Sequence, residues 1–217
     1  MILDLFFPNR CLSCNNIVES DLICCDVCFK NIHFTHFDYK GNNAIKERCK
    51  TLFPIENAYA LLYFEKNSLS QQIIHELKYR NREKTGKILA HWTTEYLDFK
   101  DDIPDILLSV PLHKKKILQR GYNQLHLFTE TLSEFYNIPY NHKIIRRNHN
   151  SKAQALQDKT HRLKTENLFS ITQNITGKHI LLIDDVFTTG NTVASIAWEL
   201  MKAGDNKVSI LVMAMDG

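Results

Sequence analysis

Two adjacent aspartates and the short loop behind them carry the most specific chemistry in this sequence. The apolar run Ile180–Ile183 leads into Asp184 and Asp185, and a helical pattern begins a few residues later. The loop between the acids and the helix contains Thr188, Thr189, Gly190, Asn191 and Thr192. An apolar run without polar alternation is typical of a strand in a sheet covered on both faces. The order strand, loop, helix places the loop at the carboxyl edge of a parallel sheet, where α/β proteins bind ligands.

The residues of this loop suit a phosphate group. Backbone N–H groups at a helix N-terminus hold anions, Gly190 lets the backbone come close, and the threonine hydroxyls add donors. Asp184 and Asp185 cannot face a phosphate directly because like charges repel, so we expect them to accept hydrogen bonds from ribose hydroxyls. The combination predicts a ribose 5-phosphate site. A solvated acidic turn, or a magnesium-binding acid pair as in receiver domains, is the alternative, and the other common nucleotide-binding motifs are absent.

A second group of reactive side chains lies near the N-terminus. Cys11 and Cys14 form one Cys-x2-Cys pair, and Cys25 and Cys28 form another. Each short turn brings two thiolates to the same side, so the two pairs suit one tetrahedral zinc ion. Cys24 could replace Cys25, but the equal spacing favours Cys25 as the ligand. The alternative is a coincidental cluster of buried thiols.

Alternating strand and helix patterns must position these residues. They predict an α/β fold with a mostly parallel sheet flanked by helices. The predicted strands are Ala58–Phe64, Ile106–Val110, Ile180–Ile183 and Val208–Met213. The predicted helices are Ser68–Tyr79, Glu83–Leu97, Gly121–Tyr136 and Asn191–Ala203, with Gly204 ending the last one. The stretch Asn148–Asn167 has no clear period and is predicted to be a long, functional loop.

Composition sets the broad class of the protein. The chain has 217 residues and a net charge of +3, which permits anionic ligands without requiring nucleic acid. We predict a cysteine-rich zinc-binding region over residues 1–50 and a second domain over 51–217. The N-terminus does not look like a signal peptide, and no apolar run reaches the ~18 residues of a membrane span. A cytoplasmic location with reduced thiols is expected, so the cysteines are metal ligands or, like Cys49, ordinary buried thiols.

The chain resembles the ComF family from end to end. Members of that family pair an N-terminal zinc knuckle with a type I phosphoribosyltransferase fold. The matching pieces, in chain order, are Phe7-Pro8-x-x-Cys11-x-x-Cys14, Cys25-x-x-Cys28, Leu77-Lys78-Tyr79, Val110-Pro111-Leu112, Arg120-Gly121-Tyr122-Asn123-Gln124, Gln154-Ala155, Arg162, Asn167 and Asp184 to Thr192. One of these motifs could mislead, but the ordered set is specific.

The resemblance implies roles for several of these residues. The site would bind 5-phosphoribosyl-1-pyrophosphate, with Asp184 and Asp185 as the catalytic pair. The residues implied on the pyrophosphate side are Pro111, Leu112, His113, Lys114 and Arg120. Gln154 and Arg162 would lie in a mobile hood over the site. For Lys115 and Lys116, a solvated cationic turn is favoured over a role in the site.

Two classes of function remain open at this point. The first is a phosphoribosyltransferase in which magnesium bridges the pyrophosphate and ribose oxygens. The second is a non-catalytic module that keeps the sugar-phosphate site while its zinc knuckle and basic loops hold single-stranded DNA or a competence protein. The family resemblance links both to natural competence and DNA uptake.

Overall fold

The computed structural model describes residues 8–78, 83–148 and 168–217. Its six strands are β1 (Ala58–Phe64), β2 (Ile106–Ser109), β3 (Ile145–Arg147), β4 (Phe169–Ile171), β5 (His179–Phe187) and β6 (Lys207–Asp216). Four of them form a parallel sheet in the order β1–β6–β5–β2, and β3 and β4 form a separate antiparallel pair. The prediction of an α/β fold with a parallel sheet is confirmed.

The central strands are apolar because both faces of the sheet are covered. The side chains of residues 180–183 are fully buried, as are those of residues 210–214 on the neighbouring strand. All four predicted strands are present, but β5 is longer than predicted. Val186 and Phe187 still pair with Ala214 and Met215, so the ladder continues past the two aspartates. The acids therefore lie inside the strand, and the loop begins only at Thr188.

Seven helices are found in the described residues. They are α1 (Asp26–Phe29), α2 (Ala44–Lys50), α3 (Leu69–Glu76), α4 (Glu83–Tyr96), α5 (Lys114–Arg120), α6 (Leu125–Tyr136) and α7 (Asn191–Ala203). Three of the predicted helices agree with α3, α4 and α7. Ser68 caps α3 by accepting a hydrogen bond from the N–H of Gln71. None of these helices is long and apolar enough to cross a membrane.

The helix predicted over Gly121–Tyr136 is present, but its predicted start was wrong, and the short helix before it was not predicted. A short helix, α5, ends at Arg120, Gly121 follows with a positive φ of 88°, and α6 begins only at Leu125. A left-handed glycine is a common helix stop, which the apolar periodicity did not reveal. Leu125, Phe128 and Leu132 form the buried face of α6, whereas Phe135 is 61% exposed.

The N-terminal cysteine-rich region packs directly on the sheet domain. Phe34 forms an antiparallel bridge with Leu62 of β1, and the N–H of Thr35 donates to the carbonyl of Leu61. Phe29 lies edge-on to Trp92 of α4, with 5.1 Å between the ring centroids. The edge strand β1 and helix α4 are therefore the surfaces that hold this region in place.

Candidate functional site

The two aspartates lie side by side near the carboxyl end of β5, and both are partly buried. A carboxylate oxygen of Asp184 accepts the N–H of Asp185 at 2.9 Å. Asp185 accepts the N–H of Val186 at 2.8 Å through Oδ1 and the side-chain amide of Gln124 at 2.8 Å through Oδ2. Asp185 is thus held by two donors, one of which comes from the segment before α6.

The surroundings of Asp184 disfavour the ionised form of its carboxyl group. Burial raises the pKa of its carboxyl well above the ordinary 3.8, and the charge of Asp185 raises that pKa further. The ammonium group of Lys116 acts in the opposite direction. Lys116 is exposed, in agreement with the solvated turn that the sequence favoured, and its charge also reaches Asp184. The only feature of the sequence that indicated this effect was the position of Lys116 in the run of lysines that follows Leu112 and His113.

The loop from Thr188 to Thr192 leads from β5 into α7. Gly190 occupies the N-cap position with a φ of 74°, and no side chain caps the helix. The first N–H groups of a helix have no intrahelical partner, so they are available to an anion. Thr188, Thr189, Asn191 and Thr192 are exposed around this helix start. The loop therefore has the donors that the sequence predicted.

Gly190 is required by packing beneath the loop as well as by its backbone conformation. A Cβ at this position would lie 2.6 Å from Leu52 Cδ1 and 2.8 Å from Phe187 Cζ. Phe187 is only 2% exposed, so its ring has little room to move. The absence of a side chain lets Leu52 and Phe187 approach the loop from below.

The segment after β2 reaches the same edge of the sheet. The N–H of Val110 donates to the carbonyl of Ile183 at 2.9 Å, which places Pro111, Leu112 and His113 beyond the end of β2. These three residues are partly buried, and Lys114 is exposed. His113 Nδ1 accepts the N–H of Lys115 at 3.2 Å, so His113 caps α5.

A chain of side-chain hydrogen bonds connects this segment with the acids. Arg120 Nη1 donates to Gln124 Oε1 at 2.7 Å, and Gln124 Nε2 donates to Asp185 Oδ2 at 2.8 Å. The side-chain amide of Asn123 donates to the carbonyl of Val110 at 3.1 Å. The structure thus brings Arg120 to the acid pair through Gln124, although the two motifs lie far apart in the sequence.

An arginine that the sequence did not single out also contacts the site. Arg48 of α2 donates to a carboxylate oxygen of Asp216 at 2.6 Å and to the carbonyl of Thr188. Its guanidinium carbon lies 5.0 Å from the centroid of the Phe187 ring. A lone arginine on a short helix ahead of the sheet gives no recognisable sequence signal, so only the tertiary contacts identify it.

The predicted hood residues Gln154 and Arg162 lie outside the described residues. Asn148 and Leu168, the described residues on either side of residues 149–167, are hydrogen-bonded, because the N–H of Asn148 donates to the carbonyl of Leu168 at 2.8 Å. Strands β3 and β4 continue this pairing away from the segment.

Four cysteine sulfurs converge in the N-terminal region. The Sγ atoms of Cys11, Cys14, Cys25 and Cys28 all lie within 4.8 Å of one another. Those of Cys14 and Cys25 are 3.7 Å apart. Zn–S bonds of about 2.3 Å in a tetrahedron place sulfurs roughly 3.8 Å apart, so the cluster fits a structural zinc ion.

The structure selects Cys25 over Cys24 as the fourth member of the cluster. Cys24 is buried and outside the four-sulfur group. Cys49 is also fully buried, as predicted.

Comparisons with known families match both parts of the chain. Residues 2–39 match the double zinc ribbon domain family, and residues 125–217 match the phosphoribosyl transferase domain family. Among the described residues only one four-cysteine cluster is found. The zinc-ribbon match and this cluster together support a structural zinc.

Several curated proteins are similar to this chain. It is 31% identical over 144 residues to DNA utilization protein YhgH of Escherichia coli O157:H7, an alignment that covers 64% of this chain and 63% of the relative. It is 27% identical over 233 residues to Competence protein F of Haemophilus influenzae, covering 96% and 98% of the two chains. Competence protein ComFC of Bacillus subtilis is 31% identical over 140 residues, covering 64% and 56%. The chain thus aligns with less than two thirds of the length of the YhgH and ComFC relatives.

Among solved structures, the alignment with adenine phosphoribosyltransferase from Leishmania tarentolae covers 72% of this chain and 91% of the Leishmania chain, with 14% identity and a TM-score of 0.40. This likeness is weak, and the type I phosphoribosyltransferase fold rests on the family match and on the parallel sheet with its flanking helices. The chain is a homologue of the ComF, ComFC and YhgH proteins, in which a segment that matches the double zinc ribbon domain precedes one that matches the phosphoribosyl transferase domain.

Proposed function

We propose that this chain binds 5-phosphoribosyl-1-pyrophosphate at the carboxyl edge of its sheet and transfers or processes the phosphoribosyl group. The observation that supports this most is the arrangement of acceptors and donors along β5 and α7. Asp184 and Asp185 provide carboxylates just before an exposed loop whose backbone enters α7 without a side-chain cap. Acceptors for hydroxyls beside donors for a phosphate match the two ends of ribose 5-phosphate.

Each group of the ligand has a partner in this proposal. The 5-phosphate lies on the loop Thr188–Thr192, and the ribose hydroxyls donate to Asp184 and Asp185. The pyrophosphate lies along Pro111–Lys114, with Arg120 and Lys116 contributing positive charge. Arginine and lysine near several phosphate oxygens raise the local concentration of the anion and hold it in place.

Magnesium would enter this site with the ligand. Outside the four cysteines, no group of three or more metal-binding side chains converges among the described residues. Magnesium is usually bound through substrate phosphates and only one or two carboxylates, so a protein-only cage is not needed. When bound with the ligand, the ion would supply positive charge that stabilises the leaving pyrophosphate.

The acid pair accounts for the chemistry expected of a transferase. Displacement of pyrophosphate at C1 of the ribose passes through an oxocarbenium-like state with developing positive charge. Carboxylates fixed by Gln124 and by backbone N–H groups are oriented before the reaction begins, and such preorganisation stabilises that charge. The hood, with Gln154 and Arg162, would exclude water when it closes.

Calorimetry on two double variants tests the site. Asp184→Asn with Asp185→Asn removes the ribose acceptors and lessens repulsion, so ribose 5-phosphate should bind about tenfold to hundredfold more weakly while inorganic phosphate binds as well or better. Thr189→Val with Thr192→Val removes hydroxyl donors and should weaken the binding of both ribose 5-phosphate and inorganic phosphate. Gly190 is left unchanged because a larger side chain there would disturb Leu52 and Phe187.

Circular dichroism checks that both variants fold. Unchanged affinity for 5-phosphoribosyl-1-pyrophosphate in both folded variants would refute the site. Release of pyrophosphate in the presence of magnesium and a panel of nucleobase acceptors then tests turnover separately from binding.

A role in competence is proposed from the relatives, whose names refer to competence and DNA utilization. The second candidate function is a non-catalytic binding module for single-stranded DNA or a competence protein. The exposed cations Lys114 and Lys115 beside the site are the observation that favours it. Binding through such cations weakens steeply with salt. DNA affinity that stays the same between low and physiological salt would count against this mode.

A further inference from the structure

Arg48 contacts the loop Thr188–Thr192, which is called the phosphate loop below. It does so although it lies outside both segments that match known families. It lies on α2, between the zinc ribbon match that ends at residue 39 and the phosphoribosyl transferase match that begins at residue 125. Helix α2 is anchored to the sheet domain at its start, where the side-chain amide of Asn43 donates to the carbonyl of Ala58 at 2.8 Å. Arg48 therefore extends from a fixed helix toward the carboxyl ends of β5 and β6.

Three contacts fix the position of the Arg48 guanidinium. Nη1 donates to Asp216 Oδ1 at 2.6 Å and to the Asp216 carbonyl at 3.3 Å. Nη2 donates to the carbonyl of Thr188. The guanidinium carbon lies over the ring of Phe187, 5.0 Å from its centroid. A planar guanidinium suits this combination, because its fork can serve two acceptors while its face stacks on an aromatic ring.

The contact with Thr188 controls the direction of the next N–H group. The peptide bond is planar and trans, so its carbonyl and its N–H point in opposite directions. No cis peptide is found in the described residues. Because the Thr188 carbonyl is turned toward Arg48, the N–H of Thr189 is turned away from α2. It therefore points to the side of the loop opposite the helix that holds Arg48.

The turn after α2 is tied to α7 as well. Trp198 Nε1 donates to the carbonyl of Leu52 at 3.1 Å, and Leu52 reaches under Gly190. The loop thus rests on side chains from the segment 48–52 along its lower surface. Its upper surface carries the exposed Thr189 and Thr192.

We propose that Arg48 is a positioning residue for the phosphate loop: it holds the Thr188 carbonyl so that the N–H of Thr189 is preset to donate to the 5-phosphate of the ligand. The proposal rests on the proposed function, since it names how the same site is shaped. Arg48 itself does not touch the ligand. Its charge is balanced by Asp216, and its effect is transmitted through one peptide plane.

Three variants test this role. Arg48→Met keeps much of the aliphatic stem and removes the guanidinium, so ribose 5-phosphate should bind about tenfold more weakly. Arg48→Lys keeps the charge but cannot serve Asp216 and Thr188 together, and it should recover only part of the loss. Lys50→Met is the control, because Lys50 lies on the same helix and its hydrogen bonds within the described residues go to Glu47 and Asn42, away from the loop. Calorimetry gives the affinities.

A second readout separates positioning from a general loss of stability. In the folded, ligand-free protein, the carbonyl ¹³C shift of Thr188 and the amide shift of Thr189 should change in Arg48→Met and stay the same in Lys50→Met. Retained affinity in folded Arg48→Met, or an unchanged Thr188 carbonyl shift, would overturn the role.

The two proposals fail in different ways. If the unmodified chain binds no ribose 5-phosphate, the proposed function fails and the ligand role of Arg48 fails with it. If the unmodified chain binds and Arg48→Met binds equally well, only the role of Arg48 fails.

Discussion

The cysteine cluster and the acidic edge of the sheet are assembled in opposite ways. All four zinc ligands lie between Cys11 and Cys28, so short turns bring them together. The acidic edge combines Asp184 and Asp185 with side chains as distant in sequence as Arg48 and Gln124. Local spacing is sufficient to build the first site, whereas the second exists only when the whole sheet has formed.

The two sites should therefore respond differently to single changes. A metal cluster in a region with little core depends on every ligand, because metal binding supplies much of the folding free energy. The acidic edge is carried by strands with many buried side chains. It should tolerate the loss of one polar contact while losing affinity for its ligand.

The largest effect is expected from removing zinc ligands. Cys25→Ala with Cys28→Ala should abolish metal binding, because structural zinc sites contribute about 10–16 kcal/mol in isolated zinc-binding peptides. Elemental analysis of the untagged protein should find about one zinc ion per chain before the change and none after it. Cys24→Ala is the matched control, since Cys24 lies outside the cluster. Zinc retained in the double variant would disprove the assignment of the ligands.

An intermediate effect is expected from adding a methyl group at Gly190. The backbone there has a φ of 74°, and a Cβ would lie within 2.8 Å of Phe187 Cζ. Gly190→Ala should lower the free energy of unfolding by roughly 2–4 kcal/mol, because conformational strain and overpacking add. Gly121 also has a positive φ, 88°, but a Cβ there would meet nothing within 4 Å. Gly121→Ala should therefore lower the free energy of unfolding by only about 1–2 kcal/mol.

Denaturant unfolding of both glycine variants compares these costs. Equal losses would mean that Leu52 and Phe187 move aside without cost, and that the loop is less tightly supported than the structure indicates.

The smallest effect is expected from a change in the acid pair. Unlike the changes above, this one should stabilise the protein. The folded-state pKa of Asp184 is raised above its ordinary 3.8 by burial and by Asp185. Such an acid stabilises the fold below the unfolded-state pKa, and this contribution is lost as the pH rises through the folded-state pKa. Asp184→Asn should therefore stabilise the protein at neutral pH, by the roughly 0.5–2 kcal/mol typical of stabilising changes.

Thermal unfolding as a function of pH checks this prediction. The advantage of Asp184→Asn should disappear as the pH falls toward 3.8. Asp185→Asn is the control: Asp185 accepts hydrogen bonds from Gln124 and Val186, so its replacement should not stabilise the fold. A destabilised Asp184→Asn at neutral pH would contradict the electrostatic account of the pair.

Element boundaries show where sequence patterns were sufficient. The strand Ala58–Phe64 was predicted with both of its ends, because its apolar residues stand between polar neighbours. The end of β5 was missed, because the pairing of Phe187 with Met215 on β6 depends on a strand far along the chain. The start of α6 was predicted four residues too early, at Gly121, because the positive φ of Gly121 belongs to the folded backbone and leaves no mark in the apolar pattern.

The sequence by itself determined the parallel α/β class and the stretch from Asp184 to Thr192 as a candidate phosphate and ribose site. It also indicated the cysteine cluster, with Cys25 favoured over Cys24, and the structure confirmed Cys25 as its fourth member. These features depend on residue type and on spacing over a few positions, which the chain carries wherever it folds. Only the tertiary structure decided that Gln124 holds Asp185, that Lys116 acts on Asp184, and that Arg48 holds the loop at Thr188. The physical reason is that hydrogen bonds and close charges act over a few ångströms of space. Residues that are far apart in the sequence come within that distance only when the sheet has aligned the ends of its strands.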